Sequence, residues 1–224
     1  MRYTGVARLG LLTFLFVPAS ASARQTFEGV ITYRITVEGQ SVTMRQMSKG
    51  TVTRSEVEMP GMPGPMYMLL DTERQVMQMV MASMGMYMEV DLAQAVQAAP
   101  PELRNQPAKL TKLGTSATIA GLPCEDYRLG EDADEMEACI ATGYGWFMSA
   151  SPPGGGRGGG PNLGPDLSAY RAEFKDGMIP LRLKTRVNGE WTVMMEATEV
   201  TKKSLDAALF RLPDGLRKMS LQGG

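Results

Sequence analysis

Apolar and polar residues alternate with a period of two along most of the chain. In Phe27 to Val37 (FEGVITYRITV), Gly29, Ile31, Tyr33, Ile35 and Val37 share one side, and Val30, Thr32, Arg34 and Thr36 take the other. The segment predicts a strand with one apolar face. Gly39-Gln40 turns the chain into a second strand, Ser41 to Met47, and Thr51 to Met59 is a third, so an antiparallel meander is expected. MPGMPGP, Met59 to Pro65, is a turn-rich connection. Three further strands follow at Met66 to Leu70, Gln75 to Met81 and Met86 to Val90. They are joined by turns at Asp71-Thr72-Glu73-Arg74 and Ala82-Ser83-Met84-Gly85, where the last glycine suits a type I turn.

In the expected register Met68 faces Met77 and Met66 faces Met79. Across the next turn Met79 faces Met88, Met81 faces Met86 and Met77 faces Val90. Met66, Met68, Met77, Met79, Met81, Met86 and Met88 then lie on one side of the sheet with Leu70, and Tyr67, Gln78, Tyr87 and Glu89 lie on the other.

Asp91 is placed to cap a short helix from Leu92 to Ala99, ended by Pro100-Pro101. Lys109 to Gly114 and Ser116 to Ile119 are weak strands. They lead into a hairpin in which paired positions put Cys124 opposite Cys139, Glu125 opposite Ala138 and Tyr127 opposite Met136, with the turn near Glu131-Asp132. This register makes a favourable pair of Arg128 and Glu135 and an unfavourable one of Asp126 and Glu137. Residues 151–165 (SPPGGGRGGGPNLGP) are low in complexity and predict a flexible loop, and without a G-K-[ST] ending they are no phosphate loop. Leu167 to Phe174 fits helix or strand. Met178 to Val187 and Glu190 to Thr201 are strands around an Asn188-Gly189 hairpin turn, and Ser204 is placed to cap a brief turn through Leu209.

Composition changes this picture in three ways. The first residues combine Arg2 and Arg8 with an apolar core from Leu9 to Val17 and the small-residue site Ala21-Ser22-Ala23. This pattern predicts a secretory signal peptide over residues 1–23, cleaved after Ala23, and a periplasmic or extracellular location for a single domain over 24–224. No later apolar run is long enough to span a bilayer, so no integral membrane segment is expected after cleavage. The 23 basic and 24 acidic residues nearly balance, which leaves no electrostatic footprint for nucleic acid. Histidine is absent, which removes the usual general base, the usual zinc or copper(II) ligand and any Ser-His or Cys-His pair.

Cys124 and Cys139 are the two cysteines. An exported compartment permits a bond between them, and their spacing is not C-x-x-C, so a structural staple is favoured over a redox pair. The acidic residues around them (Glu125, Asp126, Glu131, Asp132, Asp134, Glu135 and Glu137) lack EF-hand spacing and read as a solvated face. No catalytic residue, metal ligand set or cofactor is indicated, and the chain is not expected to be an enzyme. The methionines admit three readings: packed core, the lining of a cavity for an apolar or lipidic ligand, or a soft Cu(I) site. Methionine is unbranched and polarizable and recurs where varied apolar partners bind, whereas rigid cores favour Leu, Ile and Val. The excess therefore favours a deformable cavity.

Several stretches together carry a family resemblance: Phe27-Glu-Gly-Val-Ile-Thr-Tyr, Met86-Tyr-Met-Glu-Val, Ile119-Ala-Gly-Leu-Pro-Cys-Glu-Asp-Tyr, Gly177-Met-Ile-Pro-Leu-Arg-Leu and Ser204-Leu-Asp-Ala-Ala-Leu-Phe-Arg-Leu-Pro-Asp-Gly-Leu. In their order they resemble the exported bacterial family called domain of unknown function 4412, whose members look like relatives of the lipoprotein-carrier (LolA-like) fold. The resemblance implies a mainly β (α+β) domain: a curved antiparallel half-barrel sheet with one or two short helices over its concave face. In the better-known relatives that concavity accepts acyl chains or other amphiphiles. The expected function is an exported binding protein that holds an apolar or lipidic ligand on Met66, Met68, Met77, Met79, Met81, Met86 and Met88. The alternatives are a periplasmic Cu(I) or soft-metal binder and an envelope interaction or sensor module with no small ligand.

Overall fold

The computed structural model describes residues 27–37, 39–57, 64, 66–98, 109–130, 135–144, 173–174 and 177–219. The proposed leader, the Gly/Pro-rich stretch 151–165 and most of 167–174 lie outside the described residues.

The alternating segments form strands β1 (Gly29–Val37), β2 (Gln40–Lys49), β3 (Val52–Val57), β4 (Met66–Asp71), β5 (Val76–Met81) and β6 (Met86–Asp91). Helix α1 (Leu92–Ala98) follows, then β7 (Leu110–Ile119), β8 (Leu122–Leu129), β9 (Met136–Thr142), β10 (Met178–Val187), β11 (Glu190–Lys202) and β12 (Arg217–Met219). Among the described residues they make one open, largely antiparallel sheet of 12 strands in the order β12-β6-β5-β4-β3-β2-β1-β11-β10-β9-β8-β7, as a curved half-barrel requires. Two meanders meet where β1 pairs with β11. The main core lies on one face, and side chains of both meanders meet there, from Ile31, Met44 and Met68 to Leu129, Ile140 and Leu181. Leu92 of α1 packs against this core, and Asp91 Oδ1 accepts a bond from Gln94 N at 2.9 Å, the cap expected for this helix.

The reverse face is crossed by the chain after β11. Leu205, Leu209 and Phe210 pack on Val30 and Met47, and Leu212 and Leu216 pack on Tyr67, Leu69, Val80 and Tyr87. This strap ends as β12, parallel to β6. A three-residue strand is too short for its periodicity to be visible in the sequence, so this edge is found only in the structure. Ser204 does not cap the turn at Ala207–Phe210: Asp206 does, accepting from Ala208 N at 2.9 Å, while the Ser204 hydroxyl donates to Glu28.

Two hairpin registers differ from expectation by two residues. In the first, Met68 pairs with Met79, Met66 with Met81 and Leu70 with Met77. Asp71 stays in the ladder opposite Val76, because its Oδ1 accepts from Glu73 N and Arg74 N, both at 3.0 Å, and tightens a loop that extends to Gln75. In the second, Asp126 faces Cys139 and Arg128 faces Glu137. This slip removes the Asp126–Glu137 clash. Arg128 Nη2 donates to Glu137 at 2.9 Å, and Asp126 gains Arg182 at 3.6 Å. A slip of two leaves every side chain on its original face, whereas a slip of one would invert the sheet. The two weak strands expected around Gly114 are one strand with an irregularity between Lys112 and Ser116, where Gly114 adopts φ 77°.

Candidate functional site

The ladders place methionines row by row. One row runs Ile31, Gln46, Ser55, Met68, Met79, Met88 and Met219 across β1, β2, β3, β4, β5, β6 and β12. The next runs Tyr33, Met44, Val57, Met66, Met81 and Met86. A third passes Ser48, Thr53, Leu70, Met77 and Val90. Met66, Met68, Met77, Met79, Met81, Met86 and Met88 therefore share a face, and it is the face of the main core. Tyr67, Gln78, Tyr87 and Glu89 hold the alternate positions on the reverse face, where Gln78 Nε2 donates to Glu89 at 2.7 Å.

Burial divides the methionines. Met68 and Met77 are 7% and 6% exposed and belong to the packed core. Met66, Met79, Met81, Met86 and Met88 are half-buried and form a softer apolar surface toward β6. Met219 extends the row at β12 and is also half-buried; the pattern of the chain gives no sign of it, because β12 itself leaves none. Met84, at the tip of the β5–β6 hairpin, is an exposed residue outside the rows.

Between the aromatic and aliphatic residues of β1 and the methionines lies a strip that sequence reading did not single out. Gln46 is fully buried, and Ser48, Thr53 and Ser55 are each less than a tenth exposed. Their signal is present in the chain: in SVTMRQMSK, Gln46 and Ser48 follow Val42 and Met44 at alternate positions, so polar residues continue an apolar face. The basic side chains of the same strands, Arg45, Lys49 and Arg54, point the other way. There Lys49 Nζ pairs with Glu28 at 2.6 Å, Arg45 and Arg54 pair with Glu56, and Arg54 stacks 3.5 Å over the Tyr67 ring.

Cys124 and Cys139 are disulfide-bonded, with Cα atoms 5.3 Å apart, and are placed diagonally across β8 and β9 because of the shifted register. Both are buried, which suits a staple. Acidic residues described around them are paired: Glu125 with Lys112 at 2.7 Å, and Glu135 and Glu137 with Arg128 at 3.2 and 2.9 Å. The Lys112 bond, helped by the Tyr127 hydroxyl, holds the Glu125 carboxyl below its ordinary range. Among the described residues no group of His, Cys, Asp or Glu could hold a metal ion, and no described helix is long and apolar enough to cross a membrane.

The architecture defines a class, an open, largely antiparallel half-barrel sheet with its main core on one face. Residues 27–216 match the family model described as Domain of unknown function (DUF4412), and the chain belongs to that family. No curated protein matches it. Among solved structures it is similar to an uncharacterized conserved protein from Thermus thermophilus, with a TM-score of 0.52 and 12% identity over 88% of this chain and 91% of that one. That likeness is one of fold. Matches to PNGF-II in its C2 and P21 crystal forms have TM-scores of 0.46 and 0.45 at 14% and 13% identity. They cover 86% and 87% of this chain but 30% and 31% of PNGF-II.

Proposed function

We propose that this is an exported, non-enzymatic binding protein that holds an apolar or lipidic guest against the methionine-lined face of its sheet. The observation that carries the reading is the gradient of burial: Met68 and Met77 are core, while Met66, Met79, Met81, Met86 and Met88 beside them are half-buried on the same face. Flexible thioethers adapt to guests of varied shape, and each acyl methylene removed from water contributes about 0.8 kcal/mol. The leader-like N-terminus supports export, and the resemblance to lipoprotein carriers supports an acyl guest.

Two measurements test this. Native mass spectrometry of protein taken from its own cell envelope should retain a mass matching a lipid. The neutral fluorophore N-phenyl-1-naphthylamine should brighten on binding, and this should be lost in the doubly substituted Met79→Lys, Met88→Lys protein while the melting transition remains. A bare polypeptide that takes up no fluorophore would defeat the reading. A retained copper mass would favour the rival soft-metal reading, which the adjacent Met79–Met88 and Met81–Met86 pairs motivate.

A further inference from the structure

One member of the buried polar strip, Gln46, is not accounted for by its surroundings. The Gln46 side chain is fully buried, and neither its Nε2 nor its Oε1 has a hydrogen-bond partner among the described residues. An interior amide left unbonded is costly, and buried polar groups in folded proteins are nearly always satisfied. Gln46 lies opposite Ile31 on one side and Ser55 on the other, in the row that continues into Met68, Met79 and Met88. It therefore stands on the apolar face where a guest is proposed to lie, in a row that carries four methionines further out.

The surroundings also limit what could answer it. From β1 to β6 the described positions on this face carry no charged side chain. The nearest basic residues of β2 and β3 point to the reverse face and are engaged there, Lys49 with Glu28 and Arg54 with Glu56 and the Leu209 carbonyl. Tyr33, one step diagonally from Gln46, is fully buried, and burial keeps its hydroxyl protonated. A carboxylate or ammonium brought here would be buried without a counter-ion. A neutral amide side chain, offering both donors and an acceptor, matches a group that likewise donates and accepts.

We infer that the guest is a neutral amphiphile: its apolar chain lies over the half-buried methionines, and an uncharged head that both donates and accepts hydrogen bonds, a hydroxyl or amide, is read by Gln46 beside Ser55. This rests on the apolar-guest reading above and adds to it the choice of head group and its direction, with the head inward at β2 and the tail toward β6.

The experiment uses three probes with the same chain length, 1-dodecanol, dodecane and dodecanoate, each displacing N-phenyl-1-naphthylamine from the intact wild-type protein and from Gln46→Met. Comparing the two proteins for one probe cancels that probe's own hydration. Gln46→Met should weaken dodecanol roughly tenfold and leave dodecane and ionised dodecanoate within about twofold. If dodecanol and dodecane respond alike, no head group is bonded by Gln46 and the inference fails while the apolar-guest reading stands. If dodecanoate loses as much as dodecanol, the neutral-head assignment fails. If wild-type protein takes up no fluorophore, both fall. Should Gln46→Met not fold, the side-chain amide resonances of Gln46 in wild-type protein decide: they should shift with dodecanol and not with dodecane, and resonances unmoved by dodecanol would overturn the inference.

Discussion

Lys49 Nζ lies 2.6 Å from Glu28 Oε1 and equally close to the Leu205 carbonyl, so one ion pair ties the start of β1 and the end of β2 to the strap on the reverse face. The same Glu28 oxygen accepts from Leu205 N at 2.7 Å and from the Ser204 hydroxyl at 3.3 Å. The carboxyl is held below its ordinary value of 4.5, first by the Lys49 bond and then by the Leu205 amide. A depressed carboxyl contributes stability that is fully present above its unfolded value and is lost as pH falls through the lower folded value. Thermal unfolding followed from neutral to acid pH should show wild-type protein losing stability below the ordinary value of 4.5 more steeply than Glu28→Gln. Parallel acid limbs would contradict the linkage.

Arg54 makes the second tie. Its Nη1 donates to the Leu209 carbonyl at 2.9 Å while its guanidinium covers Tyr67. Arg54→Met should cost about 1–3 kcal/mol and speed amide exchange at residues 205–216, with β8 and β9 unaffected. Uniform exchange across the sheet would show that the strap is not held locally.

The disulfide closes a loop with a sequence separation of 15. Reducing it should lower the free energy of unfolding by about 3 kcal/mol, chiefly by releasing the unfolded chain. Urea unfolding of oxidised and reduced protein reads this directly, and coincident midpoints would contradict it.

Packed and half-buried methionines should separate in stability. Met77→Ala should cost about 2–5 kcal/mol, because a core cavity results, and exposed Met84→Ala should stay within about 0.5 kcal/mol of wild type. Met79→Ala should fall between them. Equal costs at Met77 and Met79 in chemical denaturation would mean that the whole face is solid core and would remove the basis for a guest.

Much of this is legible in the chain. Alternation places nearly every strand of the two meanders, Asn188-Gly189 locates the β10–β11 turn, and Asp91 marks the start of α1. Parity assigns the seven methionines to one side even though the β4–β5 register lies two residues from the expected one, because period-two patterns define faces and not partners. Partners are decided by interactions absent from any periodicity: the Asp71 carboxylate bonding into its own loop, and Arg128 meeting Glu137 with Asp126 moved away from it.

What the sequence determined by itself was local: which residues extend, which turn, and which alternate onto a shared side, since these depend on backbone geometry and nearest neighbours. Only the tertiary structure decided depth. Whether Met77 is core and Met88 half-buried, whether Gln46 is sealed from water, and whether a three-residue strand closes beside β6 all depend on which distant segment lies against each face. Solvent exclusion is a property of that assembled packing and leaves no period in the chain.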